Sequence, residues 1–461
     1  MIYKIPPFFR KITVVLTVVV VFCPAPFGIC KDNGSQTVIS SVNDAMDTAF
    51  SNNKDIKIQE KELNVARANI LGAKSEFLPQ LSSQASYTHN GAVLNVGSSI
   101  VNTTKKDLGV VTGYNNDNKI GVSLDQIVYN GGANVANLRQ NELNLKVAEQ
   151  TLRATKLDVE FETKRLYYGL LLAYETLRIT QELVDQAELH YENVKDKFNH
   201  GTASRFDVLQ SKVHVAKLLP ELVKARNAVK LMKEDLKKII GVDMKSTIDV
   251  NDALTYKLMP LNEKEFLKEA YLNKPEMILK SLGIDISQWG IKLARSNGLA
   301  QINADLGYYY RSNDVGDMFN NRHSNWSAGV VVRMPIFDGF ATKAKVDEAK
   351  AKYAKAILSK ENVSDQIQVD IKKACLDLKQ AFSIIKSQRA SIIEARDALR
   401  IAEVGYDNGV DINLDVLDAQ VSLGQVQQNL ASAIYDYLMA EAYLKRTMGQ
   451  GYIKEVKNEP R

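Results

Sequence analysis

The residues of this 461-residue chain that could carry chemistry are carboxylates rather than a catalytic or metal-binding set. Asp415 and Asp418 lie three residues apart, which places both carboxylates on one face of a helix. No nucleophile elbow or phosphate-binding loop occurs in the sequence. None of the five histidines has the spacing of a metal ligand set: His89, His190, His200, His214 and His323. We therefore expect no enzyme, no catalytic residue, no metal site and no cofactor.

A structural explanation competes with a functional one for each carboxylate. Asp415 falls in the first turn of a predicted helix, where a negative charge offsets the positive end of the helix dipole. Asp207 occupies the same place in an internal repeat, which supports that structural explanation. Asp418 corresponds to Gln210 in the repeat, so a functional charge is better argued at Asp418.

The elements that position these carboxylates form an internal repeat with a constant offset of 208 residues. Residues 198–241 align with residues 406–449 without a gap. The matched pairs include Gly201/Gly409, Asp207/Asp415, Leu209/Leu417 and Gly241/Gly449. In each copy a long segment with helical apolar periodicity enters a glycine turn, and a second long segment leaves it. The pattern predicts the same helical hairpin twice.

The two copies have the same predicted order of elements. The first copy, 30–241, predicts a helix, strands at about 81–90 and 119–129, a long helix at 132–199 and a helix at 204–240. The second copy, 263–449, predicts a helix, strands at about 302–311 and 326–336, a long helix at 340–407 and a helix at 412–448. Residues 242–262 form a turn-rich linker, and residues 450–461 form a C-terminal tail.

The long helices are coiled-coil candidates. A helix over 132–199 would be about 100 Å long, far beyond the ordinary globular length. In the second long helix, large apolar residues recur every seventh position, from Ile371 and Leu378 through Leu399. A strict heptad of this kind requires a partner helix and left-handed supercoiling.

The N-terminus is typical of a secretory signal. Three cations, Lys4, Arg10 and Lys11, precede an apolar run at 12–22 that is too short to span a bilayer. We predict a signal peptide at 1–29, cleaved between about residues 25 and 30. Cys30 is a candidate lipidated N-terminus, but the preceding residues lack the small side chain of a lipobox. Without the signal cations the formal charge of +5 falls to about +2, which disfavours nucleic-acid binding.

The four predicted strands have an alternating pattern. Leu81, Ala85 and Tyr87 alternate with polar residues such as Ser82 and Gln84, as expected of strands of 9–11 residues in an outer membrane. Four strands cannot close a barrel, and open edges in lipid are not tolerated. Either the strands form a soluble sheet, or three chains pool twelve strands around a lumen. The polar inner faces favour pooling.

Three sets of motifs carry a family resemblance. The first is the helix-to-strand junction Phe77-Leu78-Pro79-Gln80-Leu81. The other two occur once in each copy: the pair Ile127-Val128-Tyr129-Asn130-Gly131-Gly132 and Met334-Pro335-Ile336-Phe337-Asp338-Gly339, and the turns at 198–202 and 406–410. On these motifs the chain resembles the TolC family of outer-membrane channel proteins over essentially its whole mature length.

The resemblance implies an α+β membrane protein of two structural repeats, located in the outer membrane and extending into the periplasm. Its homotrimer would form a twelve-stranded β-barrel, with four strands per chain, continued by a long α-helical coiled-coil barrel. Residues 242–262 and the tail would form an equatorial belt. The implied function is a passive exit duct of a tripartite efflux pump or a type I secretion system. The implied partners are a periplasmic adaptor, an inner-membrane pump of RND, ABC or MFS type, and outer-membrane lipid. The alternative is a periplasmic coiled-coil adaptor or scaffold without a membrane barrel.

The resemblance also assigns roles to residues of the two turns. The adaptor would dock at His200, Gly201, Thr202, Asn408, Gly409 and Val410. His200 and Asn408 replace the hydrophobic residue that usually precedes the glycine.

The periplasmic gate would use the residues around these turns. Asp207 would accept a hydrogen bond from the Tyr406 hydroxyl, and Asp415 with Asp418 would ring the constriction and favour cations. Asp411 stands where relatives have a gating arginine. We therefore predict that Arg205 of the other copy forms an ion pair with Asp411.

Overall fold

The computed structural model describes residues 37–39, 41–90, 116–320 and 323–451. The predicted signal peptide, Cys30, most of the segment between the first two long strands and nearly all of the tail lie outside these residues. The described part contains eight α-helices and six β-strands. In chain order they are β1 (Thr37–Ile39), α1 (Val42–Asn52), α2 (Lys54–Ser75), β2 (Gln80–His89), β3 (Asn116–Asn130), α3 (Ala133–Asn199), α4 (Arg205–Ile240), β4 (Ile248–Val250), α5 (Glu263–Asn273), α6 (Pro275–Ser296), β5 (Gln301–Ser312), β6 (Ser324–Arg333), α7 (Ala341–Asp407) and α8 (Asn413–Thr447).

Two helices of equal length, α3 and α7, dominate the molecule. Each has 67 residues, which corresponds to about 100 Å. They form antiparallel hairpins with α4 and α8, and α8 also packs against α3. The heptad line of α7 is buried as the sequence predicts: Ile367, Ile371, Leu378 and Ile385 are almost inaccessible to solvent. The second hairpin is therefore held by an apolar seam along α7.

A four-stranded antiparallel sheet joins the two copies at the end of the long helices opposite the two glycine turns. Its order is β2-β3-β5-β6, so β3 and β5 form the junction between the copies. Leu81, Leu124, Leu306 and Ala328 are in register on one face. The next row, on the other face, is Ser82, Ser123, Gly307 and Ser327, in which the Oγ atoms of Ser82 and Ser123 lie 2.8 Å apart.

The sheet is open at both sides and its apolar face is uncovered in one chain. Within the described residues, β2 and β6 each pair with a strand on one side alone. Trp326 is 77% exposed, and Leu81 and Val330 are also exposed. β6 ends at Arg333, short of the predicted 336, because Pro335 cannot donate a ladder hydrogen bond.

The helix preceding the sheet is interrupted in each copy, which the sequence analysis missed. The single helix predicted before the strands of the first copy is α1 and α2, separated at Asn53. The Asn53 Oδ1 accepts from the Asp55 N–H at 2.8 Å, and its Nδ2 donates to the Ile239 carbonyl at 2.8 Å. In the second copy α6 begins at Pro275, whose ring suits the first helical position.

A mixed belt surrounds the middle of the hairpins. β1 pairs in parallel with β4, a two-stranded sheet that the sequence analysis did not predict. The linker at 242–262 lies against both hairpins: the buried Tyr167 of α3 donates to Asp252 Oδ2 at 2.9 Å, and the Met259 N–H donates to the Tyr437 hydroxyl at 3.0 Å. None of the helices in the described residues combines the length and apolar character that crossing a membrane requires.

Candidate functional site

The two glycine turns have the same geometry. Gly201 and Gly409 adopt φ of +77° and +73°, the left-handed region that favours glycine after a helix. The Thr202 N–H donates to the Lys197 carbonyl at 2.9 Å, and the Val410 N–H donates to the Gly405 carbonyl at 2.8 Å. These bonds satisfy carbonyl groups that the end of a helix leaves without partners. The turns are therefore well-formed helix stops at the end of each hairpin.

The residues before the two glycines also perform equivalent roles. The His200 Nδ1 lies 2.7 Å from the Asp196 carbonyl oxygen, and the Asn408 Nδ2 donates to the Val404 carbonyl at 2.7 Å. Both side chains therefore cap the last turn of a long helix. This gives a structural reason for polar residues at positions where a hydrophobic one was expected. All six predicted tip residues, these two caps included, are solvent-exposed, and Val410 is 80% exposed.

Two of the predicted gate carboxylates cap the helices that leave the turns. The Asp207 Oδ2 accepts from the Ser204 N–H at 3.0 Å, while the Ser204 Oγ accepts from the Asp207 N–H at 3.1 Å. The Asp415 Oδ2 accepts from the Ile412 N–H at 3.1 Å. Each carboxylate thus satisfies a free donor and lies at the positive end of a helix. Asp418, one turn later, is exposed and makes no such bond in the described residues.

Tyr406 is held by a cation rather than by Asp207. The Lys197 Nζ lies 4.5 Å from the Tyr406 ring centroid, 3.2 Å from the Tyr406 carbonyl oxygen and 3.0 Å from Asp407 Oδ1. The Tyr406 hydroxyl is buried and has no hydrogen-bond partner among the described residues. Burial raises the pKa of this hydroxyl, and the charges of Asp207 and Asp407 add to the effect. The implied Tyr406–Asp207 hydrogen bond is absent from the single chain, in which Asp207 Oδ2 instead caps the start of α4.

The predicted ion pair between Arg205 and Asp411 is also absent from the single chain. Asp411 folds back on the end of α7: its N–H donates to the Gly405 carbonyl at 3.2 Å, and its carboxylate occupies the space that a side chain at Gly405 would fill. Arg205 is exposed at the start of α4. Within the described part of one chain, neither side chain has an ion-pair partner.

A buried polar joint connects the two hairpins, and the sequence analysis missed it. Asn413, 2% exposed, begins α8. Its Oδ1 lies 2.7 Å from His190 Nε2 of α3 and accepts from the Ser211 Oγ of α4 at 3.1 Å. Its Nδ2 donates to Gln210 Oε1 of α4 at 3.0 Å. One side chain therefore bridges three helices, and burial lowers the pKa of His190.

An apolar groove of about 600 Å³ lies between α4 and α8, beside the turns. Its walls carry apolar residues at the same positions of the two copies, with the offset of 208. They are Phe206 and Leu414, Leu209 and Leu417, and Val213 and Val421. Asp418 and His214 lie on the same surface, and burial lowers the pKa of His214. The spacing of three and four residues along both helices is that of a surface to which another helix can pack.

Comparison with known proteins identifies the family. A family described as "Outer membrane efflux protein" matches residues 45–242 and 266–450, which covers both copies. The outer membrane protein TolC of Vibrio cholerae is 22% identical over 82% of this chain and 84% of its own length. The TolC of Escherichia coli strain K12 is 22% identical over 86% of this chain and 80% of its own length.

Solved structures have the same fold. The Campylobacter jejuni CmeC outer membrane channel superimposes with a TM-score of 0.76 at 20% identity, covering 89% of this chain and 86% of that chain. These findings confirm the predicted fold class and the location in the outer membrane. The chain, with its two copies of a long helical hairpin and its four-stranded sheet, belongs to the TolC-type outer membrane efflux protein family.

Proposed function

We propose that this protein is the outer-membrane channel component of a tripartite efflux pump or a type I secretion system. It acts as a passive exit duct across the periplasm and the outer membrane. The observation that carries this proposal is a four-stranded sheet, open at both edges and apolar on one face, continuous with two hairpins about 100 Å long.

A homotrimer removes the open edges of the sheet. Unpaired backbone groups in lipid cost several kcal/mol each, so β2 of one protomer needs β6 of the next. Three chains give twelve strands with an apolar exterior and a polar lumen wide enough for passage. The exposed Trp326, Leu81 and Val330 then face outer-membrane lipid. The long helices of the three chains continue this barrel as a periplasmic tunnel.

A periplasmic adaptor docks at the ends of the hairpins and opens the duct. The proposed docking residues are His200, Gly201, Thr202, Asn408, Gly409 and Val410. Support comes from exposure: all six residues are solvent-exposed in the single chain, and Val410 is 80% exposed. The adaptor in turn connects the duct to an inner-membrane pump of RND, ABC or MFS type.

The gate lies one turn inside these tips. We assign Tyr406, Asp207, Asp411, Asp415, Asp418 and Arg205 to this region. Asp418 is the carboxylate best suited to face the pore because Asp415 already caps α8. Repeated in three chains, Asp415 and Asp418 place six carboxylates at the constriction, which favours cations.

Envelope fractionation and planar-bilayer recording together test this function. We expect a heat-modifiable trimer in the outer-membrane fraction that passes ions through a bilayer once its tips are opened. A monomer in the soluble periplasmic fraction that gives no conductance would contradict the duct. That result would support the alternative, a coiled-coil adaptor or scaffold.

A further inference from the structure

We infer that Arg205 of one protomer forms an ion pair with Asp418 of the neighbouring protomer, at the seam between adjacent subunits. This inference rests on the trimer proposed above. It concerns how the tips of that trimer are held together, and it replaces the pairing of Arg205 with Asp411 that the sequence suggested.

The template for this contact is present within one chain. Asn413 opens α8 and inserts against α3 and α4, where its Nδ2 donates to Gln210 Oε1 at 3.0 Å. The contact joins the first-copy hairpin to the second-copy hairpin. In a closed ring of six hairpins, three such junctions lie inside protomers and three lie between them.

The internal repeat predicts the contact between protomers from the contact within one protomer. With the offset of 208, Asn413 corresponds to Arg205 and Gln210 corresponds to Asp418. An amide–amide hydrogen bond inside a protomer is thereby replaced by a guanidinium facing a carboxylate between protomers. These are the two groups that form the strongest side-chain hydrogen bonds in proteins.

Burial supports the same assignment. On α8 the face that packs against α3 is covered, and its residues Asn413, Leu417, Gln420 and Gly424 are buried. The equivalent residues of α4 are Arg205, Leu209, Lys212 and Ala216, and all four are exposed. Leu209 is 52% exposed where Leu417 is 5% exposed. A surface that is buried in one copy and bare in the other indicates that a second protomer covers it.

The junction between protomers also has room for the side chain of Arg205, which is longer than that of Asn413. The polar neighbours of Asn413 are His190 and Ser211, and their repeat equivalents are Ala398 and Ala419. Two alanines leave the volume that an arginine needs. Within the described residues of a single chain, neither Arg205 nor Asp418 has an ion-pair partner, so both charges are available.

The position of this pair gives it a function. It spans the seam that must part when the hairpins spread, so it stabilises the closed tip. It also neutralises Asp418 while the tip is closed. Opening the tip exposes the carboxylates of three protomers to the pore at the moment when passage begins.

Charge reversal in the full-length protein tests the pair. We expect Arg205→Glu and Asp418→Arg each to raise the resting bilayer conductance of the trimer by about threefold or more, since each places like charges across the seam. The double variant Arg205→Glu/Asp418→Arg restores the attraction, and its conductance should return to near the wild-type value. Lys224→Glu, an exposed reversal further along α4, should leave the conductance unchanged. Double-variant conductance equal to the combined effects of the single changes would overturn the inference.

Cysteine cross-linking provides a readout independent of conductance. In a Cys375→Ser background, we expect Arg205→Cys/Asp418→Cys to give linked oligomers with a bifunctional maleimide, because an arginine–aspartate pair holds its Cα atoms farther apart than the roughly 7 Å that a disulfide spans. Gln210→Cys/Asn413→Cys should cross-link within one chain and give no linked oligomer. Linked oligomers from Arg205→Cys/Asp411→Cys in place of Arg205→Cys/Asp418→Cys would overturn the inference. A wild-type protein that is no trimer would instead contradict the proposed function.

Discussion

The two long helices have the same length but are buried by different chemistry. The buried residues of α7 are all apolar or thiol-bearing: Ile367, Ile371, Ala374, Cys375, Leu378, Ala381, Ile385, Leu399 and Ala402. Those of α3 include polar and charged side chains: Asn134, Glu160, Thr163, Thr180 and His190. An apolar seam contributes stability with little directional preference, whereas a satisfied buried network fixes one arrangement and is costly when broken. The buried side of α7 is therefore held by packing, whereas α3 adds directional hydrogen bonds to other elements through Asn134 and His190.

The largest effect should come from opening a cavity in the apolar seam. Ile371→Ala removes three methyl or methylene groups from a residue that is 1% exposed, and we expect a loss of about 3–4 kcal/mol of unfolding free energy. Chemical denaturation in detergent, followed by circular dichroism, measures it. Thr163 is the repeat equivalent of Ile371, and its hydroxyl bonds to its own helix at Val159 O, 2.7 Å away.

The matched control is Thr163→Val, which keeps the volume of that side chain. We expect a change below about 1.5 kcal/mol. Equal losses from Ile371→Ala and Thr163→Val would show that the two helices are not held differently.

A smaller loss should follow removal of the Asn413 joint. Asn413→Ala leaves His190 and Gln210 without their shared partner in a buried site, and we expect a loss of about 2 kcal/mol. Hydrogen exchange at the ends of α3 and α8 measures it locally. Arg205→Ala, at the equivalent position of α4, should not change exchange at this joint. Unchanged protection in Asn413→Ala would show that the joint contributes nothing.

The joint should also weaken in acid. Burial lowers the pKa of His190, with Lys197 adding to the effect and Glu403 and Asp407 opposing it. Burial lowers the pKa of His214 on α4 too, with His190 and Lys217 adding to the effect and Asp418 opposing it.

The packed joint thus binds protons less readily than the separated hairpins. Its contribution is fully present above the ordinary histidine pKa of about 6.5 and is lost as the pH falls through and below that value. Resting conductance recorded from pH 7.5 to pH 5 should rise, and His190→Gln should reduce the rise. An identical pH profile in His190→Gln would exclude His190 as the titrating group.

The smallest effect should come from substituting the turn glycines, because both hairpins have the same glycine turn. Gly201→Ala and Gly409→Ala each force a side chain into positive φ, and each should cost about 1 kcal/mol. A Cβ added at either glycine has no neighbouring side chain or backbone atom within 4 Å, so the cost comes from the backbone conformation and not from a steric clash. Thermal unfolding of the two variants should therefore agree. Gly283→Ala, inside α6 and also in open space, should be neutral or slightly stabilising.

The fold was largely predictable because its signals are local and repeated. Gly201 and Gly409 end the two long helices, and heptad periodicity marks the seam of α7. The interruption at Asn53 was not predictable in this way, since a single asparagine within an apolar period fits a helix interior as well as a cap. β1 and β4 have three residues each, too few for an alternating pattern to be detected.

The positions of the proposed site residues beside the two turns follow from the sequence, but their contacts do not. The residues expected at the gate all lie near the two turns, yet Tyr406 contacts Lys197, while Asp207 bonds to Ser204. Such pairings depend on how each helix is rotated about its axis, which spacing alone does not determine. The Asn413 joint was missed because its partners are 203 and 223 residues away in the chain.

The equal length of α3 and α7 limits how the reach of this protein can change. One added residue in α3 alone would lower that hairpin by about 1.5 Å and rotate everything below it by about 100°. The lower ends of neighbouring hairpins would then be staggered, and their seams would no longer meet. Seven residues inserted into both helices, with seven in each returning helix, restore both height and rotation. Relatives adapted to a wider or narrower periplasm should therefore differ from this chain by whole heptads, gained or lost in both copies together.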